Sequence, residues 1–440
     1  MKKRLLATLL SSTLVMTSLA GCSSKSENGD MVTELTKPIT IEMWHYMNGG
    51  QAEVLNEIIE DFNATNDKGI TVNAISQGSI VDLNKKVISA AQSNSLPAII
   101  NVYPDVATGL IEDKKLVNLS SFINDKNVGM ADEMDDFVDT FIEETSQWGE
   151  GEVYGLPMTK STEVLYVNKN MLESLGYTLE DLEDLTFEKL AEISNKAVTE
   201  LGVAGFGFDS SSNAFISSLK MDGLDFVDSK GTINVDNEWV REYMTFFQQQ
   251  AQSGAFRIAG EDKFLSNPFV NQKMLCYQGS SAGYAYLNND GAFEIAVVEV
   301  PVFEGKDKAV MQQGASLFVT NNVSAEAQYA AYEFVKFATN AENTAKFATA
   351  TGYLPVRKSA IETEIVKNIL NDETSLYSQV YNVAQKSLPY AYYTPAINNA
   401  QSARTVAQEK YEAFMSGSIT DVEVLVDDIV SQVQTSIGRN

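Results

Sequence analysis

The stretch ITIEMWHYMNGGQAEVLNEIIEDFNATNDKGITVNAIS, residues 39–76, decides the fold prediction. Its first six residues alternate apolar and polar side chains, which is typical of a half-buried strand. Apolar residues over 54–62 then recur at helical spacing, and residues 70–75 form a second strand pattern. A strand, a helix and a strand in this order predict a parallel α/β layer.

The same alternation continues along the chain and restarts after residue 160. Strands are predicted over 97–103, 163–167, 205–208, 274–277, 294–300 and 316–320, and helices over 83–93, 170–175, 187–201, 325–337 and from 398 onward. Two α/β units joined by more than one chain crossing predict two lobes with a cleft between them. Loops that follow the strands should line that cleft, where open α/β sheets bind ligands.

The N-terminus carries an export pattern rather than part of the fold. Basic residues at 2–4 precede an apolar run that ends in LAGC, residues 19–22, which is similar to a bacterial lipobox. We expect a signal peptide over 1–21, lipid on the Cys22 thiol and a flexible polar tether over 22–37. This would hold the protein at the outer face of the cytoplasmic membrane. An ordinary export signal with a chance cysteine is the alternative.

Composition excludes several function classes. Acidic residues outnumber Lys plus Arg by 59 to 32, which disfavours nucleic acid and anionic membranes as partners. His45 is the single histidine, so a His-pair zinc site is excluded, and neither GxSxG nor a phosphate-binding GxxxxGK[ST] occurs. Cys276 lies in an apolar strand pattern and is interpreted as a core thiol. We therefore expect a monomeric binding protein without metal, cofactor or catalysis, although a hydrolase using two carboxylates stays open.

Four segments carry candidate ligand-binding groups. Gly279–Ser281 joins a strand to an expected helix, whose N-terminus would favour an anion, although a serine there commonly caps its own helix. Ser161 precedes a strand near an expected lobe crossing. Gly314 begins a strand and would allow a ligand close to the backbone. Arg404 has small, uncharged neighbours and could grip an oxyanion with two hydrogen bonds, unless it is an exposed helix arginine.

Residues 351–360, TGYLPVRKSA, form a stiff joint after a helix. Gly352 is expected to end that helix, and Pro355 restricts the exit. Tyr353 between them would present its hydroxyl group in a fixed direction.

Five stretches resemble one protein family: IEMWHYMNGGQAEVLNEIIEDFNATN, NSLPAIINVY, LPMTKSTEVLYVNKN, QGASLFV and ATGYLPVRKSA. They are similar to family 1 of the extracellular solute-binding proteins of ABC importers, and most similar to its members that bind sn-glycerol 3-phosphate. The resemblance implies an α/β, two-lobed, type II venus-flytrap fold that closes on its ligand and presents it to a membrane permease. It implies an N-terminal lobe from 38–156 and 307–352, and a C-terminal lobe from 157–306 and 353–440.

The resemblance also assigns site residues. The family's phosphate-side serines fall on Ser161 and Ser280, and its phosphate-gripping arginine falls on Arg404. Its backbone-contact glycine falls on Gly314 and its hinge-side tyrosine on Tyr353. The implied ligand is a small phosphorylated polyol.

Three positions depart from the family pattern on the side that would hold glycerol hydroxyls. Ile80 stands near an expected tyrosine, Pro104 replaces a glutamate, and Phe187 replaces a frequent tryptophan. Asp105 is the candidate substitute for the glutamate. The residues that the resemblance assigns to the phosphate are retained, and those on the side of the glycerol hydroxyls differ. The predicted ligand is therefore glycerol 3-phosphate, a glycerophosphodiester or another phosphorylated polyol.

The alternative ligand is a neutral sugar or oligosaccharide. Its stacking platforms would be Trp44, Trp148, Trp239 and several tyrosines. Trp44, in the WH pair after the first strand, is also a candidate ligand contact in the leading interpretation.

Overall fold

A computed structural model describes residues 31–438 as two five-stranded sheets with helices packed around them. The strands are β1 Ile39–His45, β2 Ile70–Ser76, β3 Ile99–Val102, β4 Gly155–Ser161, β5 Glu163–Asn168, β6 Phe206–Phe208, β7 Phe256–Ile258, β8 Cys276–Ser280, β9 Ile295–Val298, β10 Val310–Met311, β11 Gln313–Val319 and β12 Ala391–Tyr392. The helices are α1 Gly49–Thr65, α2 Ile80–Gln92, α3 Pro104–Glu112, α4 Ser120–Ile123, α5 Asp139–Glu144, α6 Lys169–Ser174, α7 Phe187–Leu201, α8 Ser211–Lys220, α9 Glu238–Gln252, α10 Ser266–Val270, α11 Ala325–Ala338, α12 Ala341–Thr351, α13 Glu364–Leu370, α14 Leu376–Ser387, α15 Ala400–Met415 and α16 Val422–Ser436.

Each sheet defines a lobe. The first sheet has the order β2-β1-β3-β11-β4, with β1 parallel to both neighbours and β11 antiparallel to β3 and β4. The second has the order β7-β6-β8-β5-β9, and β10 pairs with β12 in a separate two-stranded sheet. This arrangement confirms the predicted two-lobed α/β fold. The predicted strands are present with shifts at their ends, the helical pattern from 398 onward divides into α15 and α16, and a short 3-10 helix stands where a helix was expected after Ser280.

Apolar patterning accounts for the two cores. Helix α1 buries Leu55, Ile58, Ile59 and Phe62 against the first sheet, as its 3.6-residue spacing predicts. Helix α7 buries one face against the second sheet, and its ends match their sequence signals. The Thr186 side chain accepts a hydrogen bond from the amide of Lys189, and Gly202 follows the helix at φ 67°.

Phe187 belongs to this second core rather than to a ligand site. Its side chain is 1% exposed, and its ring lies 4.6 Å from the ring of Phe303. The prediction that Phe187 alters the polyol end of the site is therefore wrong, because burial among aromatic rings determines its position.

The predicted lobe boundaries require correction. Pro157–Ser161 pairs with β11 in the first sheet, so the chain crosses between the lobes at Thr162 rather than at residue 157. Met311 still packs in the second core, and the return crossing is at Gln312, between β10 and β11. Leu354 packs in the first core, so residues directly after 352 also remain with the first lobe.

The predicted tether over 22–37 is too long. Val32 and Leu35 are partly buried and pack against the first core, because their apolar side chains find a surface to cover. The signal peptide over 1–21 and Cys22 lie outside the described residues. Between residues 31 and 438, no helix is both long and apolar enough to cross a membrane.

Candidate functional site

Arg404 is a buried arginine in the second turn of α15. Ala403 and Ala407 beside it are fully buried, and such small side chains permit close packing of α15 against α8. Only 6% of the Arg404 surface is exposed. Its Nη2 donates to Oγ of Ser212 at 3.2 Å and to Oδ1 of Asn213, and its Nη1 donates to Oγ1 of Thr394 at 3.5 Å. Within residues 31–438 its Nε donates no hydrogen bond, so the five-donor guanidinium retains donors for a ligand.

The guanidinium faces a small cavity between the lobes, with about 30 Å³ accessible to the centre of a water molecule. That volume suffices for roughly one or two waters, so a larger ligand requires the lobes to separate. Three sequence-predicted residues meet here, namely Gly314, Asp105 and Arg404. The full lining is Tyr103, Pro104, Asp105, Glu144, Gln312, Gln313, Gly314, Thr394, Gln401 and Arg404.

Gly314 cannot be replaced without moving the backbone. It has φ +133°, and a Cβ atom there would lie 1.7 Å from the carbonyl oxygen of Thr159. The pairing of β11 with β4 shifts register one residue further on, between Ala315 and Ser316. The strand therefore brings bare backbone to the cavity wall.

Two carboxyl groups near Arg404 have raised pKa values. Burial raises the pKa of Asp105, against the opposing charge of Arg404 and a hydrogen bond from the amide of Val106 at 2.7 Å. Burial also raises the pKa of Glu163, although Asn213 and Gln278 donate to it at 2.8 and 2.9 Å. Both groups are therefore protonated more readily than in water, which lessens the negative charge beside the guanidinium.

Tyr353 belongs to a group of hydroxyls next to this cavity. Its hydroxyl lies 3.3 Å from that of Tyr46, which lies 3.1 Å from Oγ1 of Thr159. The Tyr353 ring stacks on Phe347 with 5.9 Å between centroids, and burial raises the pKa of its hydroxyl. Gly352 ends α12 at φ 82°, which confirms the predicted end of that helix.

Neither of the two predicted serines lines the cavity. Ser161 is 8% exposed and pairs with Gln313, which does line it. Ser280 pairs with Glu163, and its Oγ accepts from the amide of Ala282 at 3.2 Å. The helix expected after Ser280 is a six-residue 3-10 helix, Ser281–Tyr286, so the long helix dipole inferred for this turn is absent and Ser280 acts as a cap.

The tryptophans do not gather at the cavity. The Trp44 indole donates to the carboxylate of Glu42 and packs beside the core around Leu83 and Ile100. Trp148 is buried, with Nε1 donating to Thr108, and Trp239 packs against the second core. The prediction that Trp148 and Trp239 form sugar platforms is wrong, because both rings are used in packing.

Sequence reasoning missed several site residues, among them Tyr103, Glu144, Asn213, Gln312 and Thr394. Tyr103 directly follows β3, and the rule that ligands bind at strand ends could have found it. The others are single polar residues in elements far apart in the sequence, and no local pattern marks them.

A larger groove continues from the cavity to the surface. It offers about 960 Å³ to the centre of a water molecule and lies between α2, α3 and the first turns of α15. Tyr103, Asp105 and Gln401 line both spaces. Ile80, one of the departures from the family pattern, lines the groove at the first residue of α2.

The cavity presents hydrogen-bond donors of Arg404 that are held in place by neighbouring side chains. In the part of the chain that the structure describes, no group of three His, Cys, Asp or Glu side chains is placed to hold a metal ion. Cys276 is buried in the second core, and burial raises the pKa of its thiol, as expected for a core cysteine.

Sequence comparison connects this architecture with known proteins. The profile of the bacterial extracellular solute-binding protein family matches residues 57–372. The sn-glycerol-3-phosphate-binding periplasmic protein UgpB of Rhizobium meliloti is 23% identical over 422 residues, covering 90% of this chain and 94% of that protein. The protein of the same name from Escherichia coli K12 is 23% identical over 401 residues, covering 88% and 90%.

Solved structures share the fold at low identity. UgpB from Mycobacterium tuberculosis in complex with glycerophosphocholine has a TM-score of 0.78 at 20% identity, covering 92% of this chain and 99% of that one. The cyclic alpha-maltosyl-1,6-maltose binding protein from Arthrobacter globiformis has a TM-score of 0.76 at 18% identity, covering 92% and 100%.

Proposed function

The chain belongs to the family of bacterial extracellular solute-binding proteins, and we propose that its solute is a small phosphorylated polyol, such as glycerol 3-phosphate or a glycerophosphodiester. Members of this family bind a solute outside the cytoplasm and deliver it to an ABC permease. The relatives named for sn-glycerol 3-phosphate and the structural neighbour that holds glycerophosphocholine support this ligand class.

One observation carries the proposal: Arg404 is buried at a cavity between the lobes and keeps donors free for a ligand. A guanidinium is always charged and matches the geometry of a phosphate oxygen pair. A hydrogen bond to a charged group contributes about 1.5–3 kcal/mol. Gly314 opposite it would let the ligand contact backbone.

Binding would couple to closure of the two lobes. Arg404 belongs to the second lobe, whereas Tyr103 and Asp105 belong to the first. A ligand that contacts both sides stabilises the closed arrangement, because those contacts cannot all form in the open one. The permease would recognise the closed form.

Attachment to the membrane is a separate part of the proposal. The LAGC sequence at 19–22 favours lipid on Cys22 and a position at the outer face of the cytoplasmic membrane. Replacing Cys22 by alanine should release the protein into the medium of a culture that retains the unaltered protein on its membranes. Equal retention of both would overturn the anchor.

A neutral oligosaccharide is the second candidate ligand. The maltosyl-maltose-binding neighbour has a TM-score close to that of the glycerophosphocholine complex. Tyr46, Tyr103 and Tyr353 lie beside the cleft and offer rings and hydroxyls suited to sugars.

A thermal-shift screen separates these candidates, since a ligand that binds only the folded state raises the unfolding midpoint. Glycerol 3-phosphate and glycerophosphocholine should raise it, and maltotriose should not. The reverse pattern would replace the proposal with the oligosaccharide candidate. Turnover of a compound during incubation would favour the hydrolase alternative. Mass analysis of ligand released from the purified protein checks the outcome independently.

A further inference from the structure

Lys160 is an ionic side chain with no exposure to solvent, located in β4 one residue before Ser161. Its Nζ lies 2.6 Å from Oε2 of Glu144 and donates to the carbonyl oxygen of Gly314 at 3.1 Å. The ammonium therefore contacts both a carboxylate and the strained glycine of the cavity wall. Nothing in the proposed ligand contacts accounts for this arrangement.

Glu144, the last residue of α5, itself lines the cavity that Arg404 faces. Its Oε2 also accepts from Nε2 of Gln312 at 3.1 Å. Gln312 is the crossing between the lobes, and Thr140 exchanges two further hydrogen bonds with its side chain, at 2.6 and 2.9 Å. The Lys160–Glu144 ion pair thus connects the cavity wall at Gly314 with Gln312, where the chain crosses between the lobes.

We propose that Lys160 is a specificity-determining residue, which neutralises Glu144 so that the positive charge of Arg404 remains available to an anionic ligand. This inference rests on the proposed function and names how its site selects for negative charge. Lys160 acts through Glu144 and Gly314 and needs no contact with the ligand.

The charges around the cavity support this role. Arg404 faces Asp105 and Glu144 directly, and Glu163 lies behind Asn213. Without Lys160, the Glu144 carboxylate would be unpaired at the cavity wall, and its negative charge would oppose the binding of a phosphate beside Arg404. Lys160 supplies a second cation where water cannot screen it, so its effect reaches the ligand.

If the Lys160–Glu144 ion pair served only to stabilise the fold, its variants should behave differently. In that case, loss of either partner leaves the other unpaired, and both single variants weaken the protein and its ligand affinity together. In the electrostatic case, the two variants move the affinity for an anion in opposite directions. The sign of the change therefore distinguishes the two roles.

The experiment titrates glycerol 3-phosphate into the full-length protein and its K160M, E144Q and K160M/E144Q variants by calorimetry. We expect K160M to bind about tenfold more weakly, because it leaves the Glu144 carboxylate unpaired at the cavity wall, where it repels the anion. E144Q should bind more tightly than the unaltered protein, and the double variant should lie between the two single variants. Thermal unfolding of each variant establishes that it is folded.

Weaker binding by both single variants would overturn the inference and leave the proposed function standing, provided that R404A also loses affinity. Failure of the unaltered protein to bind glycerol 3-phosphate would overturn the proposed function and this inference together. Should K160M not fold, the comparison of E144Q with the double variant decides. Both lack the carboxylate, so E144Q must bind more tightly if the Lys160 charge acts on the ligand.

Discussion

Oδ1 of Asn213 accepts a hydrogen bond from Nη2 of Arg404, so a residue of α8 sets the direction of the guanidinium on α15. Only the side-chain oxygen of Asn213 can accept a hydrogen bond from an arginine, so the side-chain nitrogen of Asn213 points away from the guanidinium. That nitrogen donates to Glu163 at 2.8 Å and to Gln313 at 3.0 Å. One side chain therefore fixes Arg404 relative to β5 and to the strand that crosses back into the first lobe.

Replacement of Arg404 by alanine should weaken binding of glycerol 3-phosphate by about tenfold or more, because a charge-assisted hydrogen bond of about 1.5–3 kcal/mol is lost. Calorimetric titration measures this change. The matched control is Arg241→Ala, which removes another second-lobe arginine that pairs with Glu423 and Asp236. Equal affinity of R404A and R241A would remove the phosphate assignment.

Replacement of Gly314 by alanine should lower the free energy of unfolding by about 2–4 kcal/mol, because the new Cβ meets the backbone of Thr159. Urea denaturation measures the change. The control is Gly50→Ala in the first turn of α1, where a Cβ meets nothing within 4 Å. That variant should gain up to about 1 kcal/mol from helix propensity. A fully stable G314A would show that the strand tolerates a side chain at the cavity.

Replacement of Tyr353 by phenylalanine tests the stiff joint after α12. The ring keeps its stack on Phe347 but loses the hydroxyl that lies 3.3 Å from Tyr46. In the proposed function this hydroxyl forms a hydrogen bond with the ligand. We therefore expect affinity for glycerol 3-phosphate to fall by about three- to tenfold, the value of one hydrogen bond of roughly 0.5–1.5 kcal/mol.

Tyr377 provides the matched control for Tyr353. Its buried hydroxyl has no hydrogen-bond partner among the residues that the structure describes, and it lies on α14. Tyr377→Phe should leave affinity unchanged. A loss of affinity in Y377F equal to that in Y353F would show that the Tyr353 hydroxyl has no specific part in binding.

Sequence patterns predicted the ends of helices best where a capping side chain or a glycine with positive φ marks them. Helix α7 begins and ends as predicted because Thr186 caps it and Gly202 adopts a positive φ. Strand β3 is shorter than predicted, spanning Ile99–Val102, since Pro97 has no amide hydrogen to donate to the ladder.

The candidate site was only half predictable. Arg404 stood out as a cation in an acidic chain, and Gly314 as a glycine at a strand start, and both line the cavity. Lys160, Gln312 and Asn213 gave no signal, because their partners lie far away in the sequence. Contacts between distant segments arise only when both lobes have folded, and a local pattern does not contain them.

His45 should make the protein sensitive to acid. Its side chain is buried at the end of β1, and its Nδ1 accepts a hydrogen bond from the amide of Met47 at 3.1 Å, which requires a neutral ring. Burial lowers its pKa from 6.5 to about 4. Because the folded state disfavours the proton, the stability from neutral His45 is complete above pH 6.5 and is lost as the pH falls towards 4.

The size of this effect is about 2–3 kcal/mol, since one pKa unit corresponds to roughly 1.4 kcal/mol. His45→Asn keeps an acceptor for the Met47 amide and cannot be protonated. Urea denaturation at pH 7 and at pH 4 should therefore show a smaller loss of stability in H45N than in the unaltered protein. The NMR titration of the single histidine gives its pKa directly. A value near 6.5, with equal acid sensitivity of both proteins, would contradict the prediction.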